Sequence, residues 1–555
     1  VKLPVRRKIV SPQALVAALQ EVRRRGGKVV QCHGCFDIVH PGHIRYLQFA
    51  RQLGDVLVVS LTGDAAVNKG PDRPYIPEEL RAENLAALEL VDWVVIDPHP
   101  TACEILQLVR PDIYVKGCEY AQSADQRFLG ERKVVESYGG RVAFHSGDVL
   151  FSSTRLLEAA GTDRRLEEYR LRTLCWRNGL QIGVLRRIVE GFAGARALVV
   201  GDLIRERSVL CDMVTACDDG PALSAQRVGA TEWWGGAAAL ALQLKALGAT
   251  PRLVAATARD ADVADLAGQL DRLGLTCNLL AERSRPVERS TFMADERPVF
   301  RLVDGACTPL DSVAEKRSSA VLASELRQAD LLLWCDHGFG MITPGLVAAG
   351  GAAARARRVF VAGCAIGPRA RMVDLTGTHL LSGTERQVRQ AMHELRSGLP
   401  AVVSDLLYRT HGQTAVVSLR GRGLLGFDRR SPAGGDSLQG AEAGGEVAGG
   451  WRPRLRSEFV PSVARHWLNP VGAEEAVLAT AALALAGGNS LAAALYLAAA
   501  AEALVVGQPD HVAPDAAALL VFLDRRPELQ AAGQSLGGAA DRPESCETVA
   551  CLLNA

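Results

Sequence analysis

The chain has 555 residues, 48% of them hydrophobic and 23% charged, with a formal net charge of +1 at pH 7. That length exceeds what one hydrophobic core supports, so roughly two to four domains are expected. The balanced charge supplies no overall field, and neither nucleic acid nor a membrane surface is expected as a partner.

The 13 cysteines are scattered, odd in number and without paired spacing, which reads as reduced thiols in a cytoplasmic protein. Residues 1–10, with Arg6, Arg7 and Lys8, lack the apolar core of a signal peptide. The most apolar stretch, 476–507, is Ala-rich and broken by Gly487, Gly488 and Asn489, so it reads as two packed helices rather than a membrane span.

From residue 28 to about 161, short β-rich runs alternate with helical patterns. Strands are expected at 28–32, 55–61, 91–96, 112–116 and 141–145, and the alternation implies a parallel, doubly wound α/β sheet. Such sheets bind ligands beyond the carboxyl ends of their strands. After the first strand comes Gly34-Cys35-Phe36-Asp37, then His40-Pro41-Gly42-His43, running into an amphipathic helix expected over 44–53. Asp64, Lys69 and Arg73 follow the second strand, and Lys116, Gly117 and Tyr120 the fourth. Ser152, Ser153 and Thr154 follow the fifth, at a helix start.

Gly34 and Gly42 let the backbone approach a ligand, and a helix beginning near Pro41 aims free N–H groups and its positive end at an anion. His40 and His43, three residues apart on that first turn, can point the same way and donate to one phosphoryl group. The residues alone also admit two half-buried histidines, or half of a zinc site whose other ligands do not follow nearby. Lys69 and Arg73 also read as solvated loop residues, and Ser152 to Thr154 as a plain N-cap.

The stretch 34–43 resembles the signature of the nucleotidyltransferase superfamily that includes glycerol-3-phosphate cytidylyltransferase and the adenylyltransferase domain of the bifunctional heptose kinase/adenylyltransferase. The resemblance covers the whole segment and is closer to the heptose branch, through Lys69 with Arg73-Pro74, Val91-Asp92-Trp93, Val115-Lys116-Gly117 with Tyr120, and Ser152-Ser153-Thr154. It implies that His40 and His43 steady the α-phosphoryl oxygens while Lys69, Lys116 and Arg73 neutralise the flanking phosphates. Gly34, Cys35, Phe36, Asp37 and Gly42 would form the nucleotide loop, with Ser152, Ser153 and Thr154 holding the nucleotide from the other side. Asp37 would fix the loop or a metal, and the two remain open. Mg²⁺ is expected with the NTP; no protein metal site is assigned.

Residues 162–194 are charged and helical in pattern and read as a linker between a first domain at 1–161 and a second at 195–530, with 531–555 as a tail. Residues 195–202 read as a strand ending in Gly-Asp, Gly235-Gly236 opens an Ala/Leu helix, and 329–338 is a buried strand. Residues 432–450 are a low-complexity insertion. This order resembles the ribokinase family of sugar kinases, in particular the kinase half of the bifunctional heptose enzyme with the order of the two halves swapped.

The resemblance implies a Asp-Thr-x-Gly-Ala-Gly-Asp segment, whose glycine backbone holds the transferring phosphate and whose last Asp is the base. Here the segment reads Asn469-Pro470-Val471-Gly472-Ala473-Glu474-Glu475. Beyond Gly235-Gly236, the usual Asn is Ala239, the acid after Gly-Asp is Glu206, the Thr-Pro-Asn is Ser382-Gly383-Thr384, and a lysine is Phe339. Glu474 is expected to set a carboxylate beside a γ-phosphate; two unit charges about 4 Å apart repel by ~4 kcal/mol at an effective dielectric near 20. The expectation is therefore a homo-oligomeric nucleotidyltransferase acting on an NTP and a phosphorylated sugar, ATP favoured over CTP and a heptose type favoured, with a pseudokinase-like second domain. A bifunctional enzyme using Glu475 as base, or a non-catalytic ligand-binding scaffold, are the alternatives.

Overall fold

The computed structural model describes residues 5–39, 41–68, 73–117, 120, 125–145, 164–216, 220, 223–260, 262–294, 297–305, 307–429, 455–508 and 513–530. Within the first of two α/β units, strands β1 (Val29–Gly34), β2 (Val56–Thr62), β3 (Trp93–Asp97), β4 (Ile113–Gly117) and β5 (Arg141–His145) form one sheet in the order β3-β2-β1-β4-β5. Every pair is parallel.

All five expected strands are present, and the first four begin one or two residues later than expected. The reason lies in the residue before each run. Asp55, Asp92 and Asp112 turn their carboxylates onto the backbone of a neighbouring strand, accepting from Lys28 N (2.8 Å), Leu57 N (2.8 Å) and Val29 N (2.7 Å). Both faces of the sheet are covered, which is why its strands read as nearly continuous apolar runs. Val30, Leu47, Val59 and Leu85 pack on one face, and Leu15, Leu19, Val58 and Ile105 on the other.

The strand order reverses between β1 and β4. Connections from β1 run toward β3, and those from β4 run away to β5, so a crevice opens at the carboxyl ends of β1 and β4. The helix Pro41–Gln52 starts at that crevice.

The second unit contains β6 (Arg196–Ala216), β7 (Leu223–Gly236), β8 (Thr250–Ala258), β9 (Thr276–Arg283), β10 (Glu288–Ala294), β11 (Arg297–Asp304), β12 (Leu331–Asp336), β13 (Phe360–Ala365), β14 (Leu380–Thr384), β15 (Thr414–Ser418), β16 (Gly423–Arg429) and β17 (Leu455–Pro461). A parallel layer runs β9-β8-β6-β12-β13-β14-β15 and is extended by antiparallel β16 and β17.

β6 departs from expectation, since it does not stop at Asp202 but continues for 14 residues, 203–216, pairing antiparallel with β7 and parallel with β10. Arg205, Glu206, Arg207 and Asp212 hide that continuation in the sequence, because they put charge on both faces of the strand, where Glu206 pairs with Arg289 and Arg207 with Glu232. The helices Ala473–Ala486 and Leu491–Val506 are buried on nearly every side against the parallel layer. Their alanines allow that close approach. A Cβ on Gly426 of β16 would lie 2.4 Å from Leu495.

The segment expected as a linker is a correction. Its helices, Arg164–Asn178 and Ile182–Glu190, place Leu171, Leu174, Leu185, Ile188 and Val189 in the same apolar cluster as Ala197 and Leu240. Glu168, Arg172, Arg187 and Glu190 of these helices are exposed, as is Trp176 at 82%.

The units also touch directly. The 3-10 turn Asp64–Ala66 after β2 brings Asp64 Oδ2 to 2.5 Å from Ser457 Oγ of β17, and Ala65 packs against the second unit's apolar cluster that includes Val403 and Leu406. No helix among the described residues is long and apolar enough to cross a membrane.

Candidate functional site

The loop leaving β1 is held in a shape that its residues do not prefer. Phe36 sits at φ 45°, a left-handed conformation uncommon for a bulky residue, and persists because the surrounding packing fixes it. Its ring is 4% exposed, within 5.1 Å of the His43 ring and 6.5 Å of Tyr46. A Cβ on Gly34 would stand 3.2 Å from that ring, which would have to give by a few tenths of an ångström. Gly42 and His43 lie on the first turn of the helix Pro41–Gln52.

Asp37 is 3% exposed. Its Oδ1 accepts from Tyr75 N (2.9 Å) and Ile76 N (3.0 Å), and its Oδ2 lies 2.8 Å from Arg73 Nε. Of the two roles left open by the sequence, these contacts are those of a loop-fixing residue. Arg73, expected to face phosphate, is turned to Asp37 and stacks 5.0 Å from the Tyr75 ring. Its buried Nη1 has no hydrogen-bond partner among the described residues.

Lys116, at the end of β4, likewise has a carboxylate partner the sequence did not suggest. Its Nζ lies 2.9 Å from Glu131 Oε2 and over the rings of Tyr120 (4.8 Å) and Tyr114 (5.4 Å). Glu131 also accepts from Tyr114 Oη (2.9 Å) and Ala102 N (3.2 Å). Burial works to raise the Glu131 carboxyl, but Lys116, through its charge and hydrogen bond, together with His33 and the Ala102 amide, outweighs it and holds the group below its ordinary value.

His33, on β1, stands between Ser60 Oγ (3.0 Å from Nδ1) and Thr62 Oγ1 (3.1 Å from Nε2), and burial keeps its pKa below the usual value. Sequence reasoning missed both His33 and Glu131. His33 carries a signal, a polar residue at the carboxyl end of a buried strand; Glu131 carries none, being one acid on a helix. His40, Lys69, Ser152, Ser153 and Thr154 lie outside the described residues. Among the described residues no group of three or more His, Cys, Asp or Glu side chains is placed to hold a metal ion.

In the second unit, a cavity of about 620 Å³ is lined by Arg205, Trp233, Trp234, Ala239, Gly472 and Glu475 among others. Gly236 (φ 61°) and Gly472 (φ 86°) precede the helices Ala237–Ala246 and Ala473–Ala486. A Cβ on Gly236 would fall 2.3 Å from Asp202 O, and one on Gly235 2.5 Å from Glu206 Cγ. Asn469 Oδ1 accepts from Val471 N (3.0 Å), tightening the turn into the second helix. Glu206 is ion-paired with Arg289.

Glu474 differs from expectation in charge. It is half-buried, accepts from Gln387 Nε2 at 2.9 Å, and desolvation pushes its carboxyl up to about 7, with Glu475 adding to the rise and Gln387, Arg420 and Arg289 opposing it. The full negative charge read from the sequence is therefore only partly present near neutral pH. Arg420 and Arg289, far away in sequence, are close enough to matter.

Residues 32–158, from the second half of β1 through β5, match the Cytidylyltransferase-like family. Over 137 residues the chain is 47% identical to the bifunctional protein HldE of Syntrophotalea carbinolica, covering 24% of this chain and 27% of that protein. Over 157 residues it is 43% identical to HldE of Geotalea uraniireducens, covering 28% and 31%. The chain thus spans less than a third of the length of these curated relatives. Among solved structures it is similar to Arabidopsis thaliana ribokinase (16% identity, TM-score 0.44, 60% of this chain and 99% of that one) and to Escherichia coli phosphofructokinase-2 (13%, 0.46, 60% and 100%).

Proposed function

We propose that the first unit is a nucleotidyltransferase that joins an NTP, ATP favoured over CTP, to a sugar 1-phosphate, a heptose type favoured. A phosphate oxygen of the sugar attacks the α-phosphorus, the bond to the β-phosphate oxygen breaks, and pyrophosphate leaves. No covalent enzyme nucleophile is needed, because the acceptor is already an anion; the protein positions two like-charged partners and stabilises developing charge. The observation that supports this reading is the start of the helix Pro41–Gln52, with Gly42 and His43 on its first turn, at the crevice between β1 and β4.

His43, with His40, donates to the α-phosphoryl oxygens. Lys116 and Lys69 offset the flanking phosphates, and Ser152, Ser153 and Thr154 close the nucleotide from the other side. Asp37 and Arg73 act one step back, keeping the loop in shape, while Arg73 Nη1 remains available to an anion. Mg²⁺ comes with the NTP, bound by its phosphates, and adds charge neutralisation there. The test is pyrophosphate release with each of the four NTPs against a panel of sugar 1-phosphates. ATP with a heptose 1-phosphate is expected to be the best pair; a preference for CTP with a polyol phosphate overturns the substrate assignment, and no release with any pair overturns the activity.

For the second unit we propose a ribokinase-like domain without kinase activity, on the strength of Asn469, Glu474 and Glu475 in the helix-start segment. One observation favours the bifunctional alternative. Glu475 lines the cavity beside Gly472, and the raised pKa of Glu474 weakens the repulsion that argues against a bound γ-phosphate.

A further inference from the structure

Asp64 was read from the sequence as one of the polar residues facing the ligand edge, yet it is 1% exposed and faces protein on both oxygens. Its Oδ1 accepts from Arg81 Nη2 at 2.5 Å and its Oδ2 from Ser457 Oγ at 2.5 Å, while its amide donates to Glu78 Oε2 at 2.7 Å. Arg81, fully buried on the helix Glu78–Ala86, donates through Nη1 to the Cys35 carbonyl and through Nε to the Ile76 carbonyl at 2.8 Å. Ile76 N in turn donates to Asp37.

One guanidinium therefore grips both walls of the signature loop: Cys35 inside it, and the 75–76 segment that Asp37 holds. The carboxylate that orients this guanidinium takes its other hydrogen bond from a different α/β unit. Ser457 is 3% exposed, and Ala65 of the same turn is seated against the second unit's core, so water does not substitute easily at this contact.

We propose that Ser457, Asp64 and Arg81 are positioning residues for the signature loop, so that the second unit braces the site on the first. The catalytic part of this inference rests on the nucleotidyl-transfer reading above; the geometric part does not. A hydrogen bond to a buried charged group is worth enough to shift an opening equilibrium about tenfold or more.

The experiment compares the full-length wild type with Ser457→Ala and Ser457→Thr, measuring amide hydrogen exchange at residues 35–37 and 75–76 together with kcat and KM for pyrophosphate release. Ser457→Ala is expected to speed exchange at those amides about tenfold and to lower kcat by a similar factor in a protein that is still folded at the assay temperature. Ser457→Thr, which restores the hydroxyl, is expected to recover both. Ser457→Cys, nearly isosteric and a weak donor, serves the same comparison if the alanine variant does not fold. Unchanged exchange in a folded variant overturns the brace. Faster exchange with unchanged kcat also overturns the positioning role. Faster exchange rescued by threonine in a protein whose wild type releases no pyrophosphate keeps the brace and removes the nucleotidyl-transfer reading instead.

Discussion

Arg73 Nε lies 2.8 Å from Asp37 Oδ2, with side chains 9% and 1% exposed, so a basic residue expected to meet phosphate is engaged by the loop's own carboxylate. Removing one member of a buried ion pair leaves the other charged and unpaired, which costs about 3–5 kcal/mol. Asp37→Ala is expected to lower stability by about that much, since the amides of Tyr75 and Ile76 lose their acceptor as well. Chemical denaturation midpoints check this, and a midpoint within error of wild type would show that the pair holds nothing.

His43→Ala leaves the core intact, because the histidine is only half-buried on the first helical turn. Loss of one preorganised donor to developing charge lowers turnover by roughly a hundredfold or more. Steady-state pyrophosphate release beside a thermal melt separates the two effects. Near-normal turnover in the folded variant would remove His43 from the chemistry.

Glu502 gives a pH prediction with a definite sign. Burial, opposed by the hydrogen bond from Ser418 and assisted by Glu474, pushes its carboxyl from 4.5 up to about 8. Between those values the unfolded chain has released its proton while the folded chain keeps it, so this group's contribution to stability falls as pH rises from about 4.5 to about 8. Glu502→Gln stays neutral and keeps an acceptor for the Ser418 hydroxyl. Its stability relative to wild type is expected to grow across that window by an amount on the order of a few kcal/mol. Denaturation midpoints that run parallel from pH 5 to about 8 would contradict it.

For the second unit, the full-length protein with ATP, Mg²⁺ and a heptose 7-phosphate or common sugars is expected to show no sugar phosphorylation. Sugar phosphate formation that disappears in Glu475→Gln would make Glu475 a base and promote the bifunctional alternative. Glu474→Gln provides the electrostatic control: if charge at this position is what blocks phosphate, its removal raises any residual ATP binding, most strongly above pH 7, where the carboxyl is ionised.

What the sequence made legible was what depends on neighbours along the chain. The five strands of the first sheet stand out because buried parallel strands are apolar runs, and the signature stretch because its glycines, histidines and helix start are contiguous. The state of the side chains was less legible. Nothing near Lys116 announces Glu131, 15 residues on, and nothing near Glu474 announces the Gln387 contact. The helices at 164–190 were misread because charge on their outer faces masks Leu171, Leu174 and Leu185 within. β6 was read short because its second half trades apolar burial for pairing on both sides.

The contact between Asp64 and Ser457 joins positions 393 residues apart, and this imposes an order on the birth of the protein. A ribosome adding about 5–20 residues per second reaches Ser457 roughly 20–80 s after Asp64. The first unit is complete long before then, so it waits at the exit tunnel with solvent on the carboxylate that will later be covered and with Ala65 facing water. A nascent chain stalled ahead of β17, or a message cut short there, makes that interval permanent.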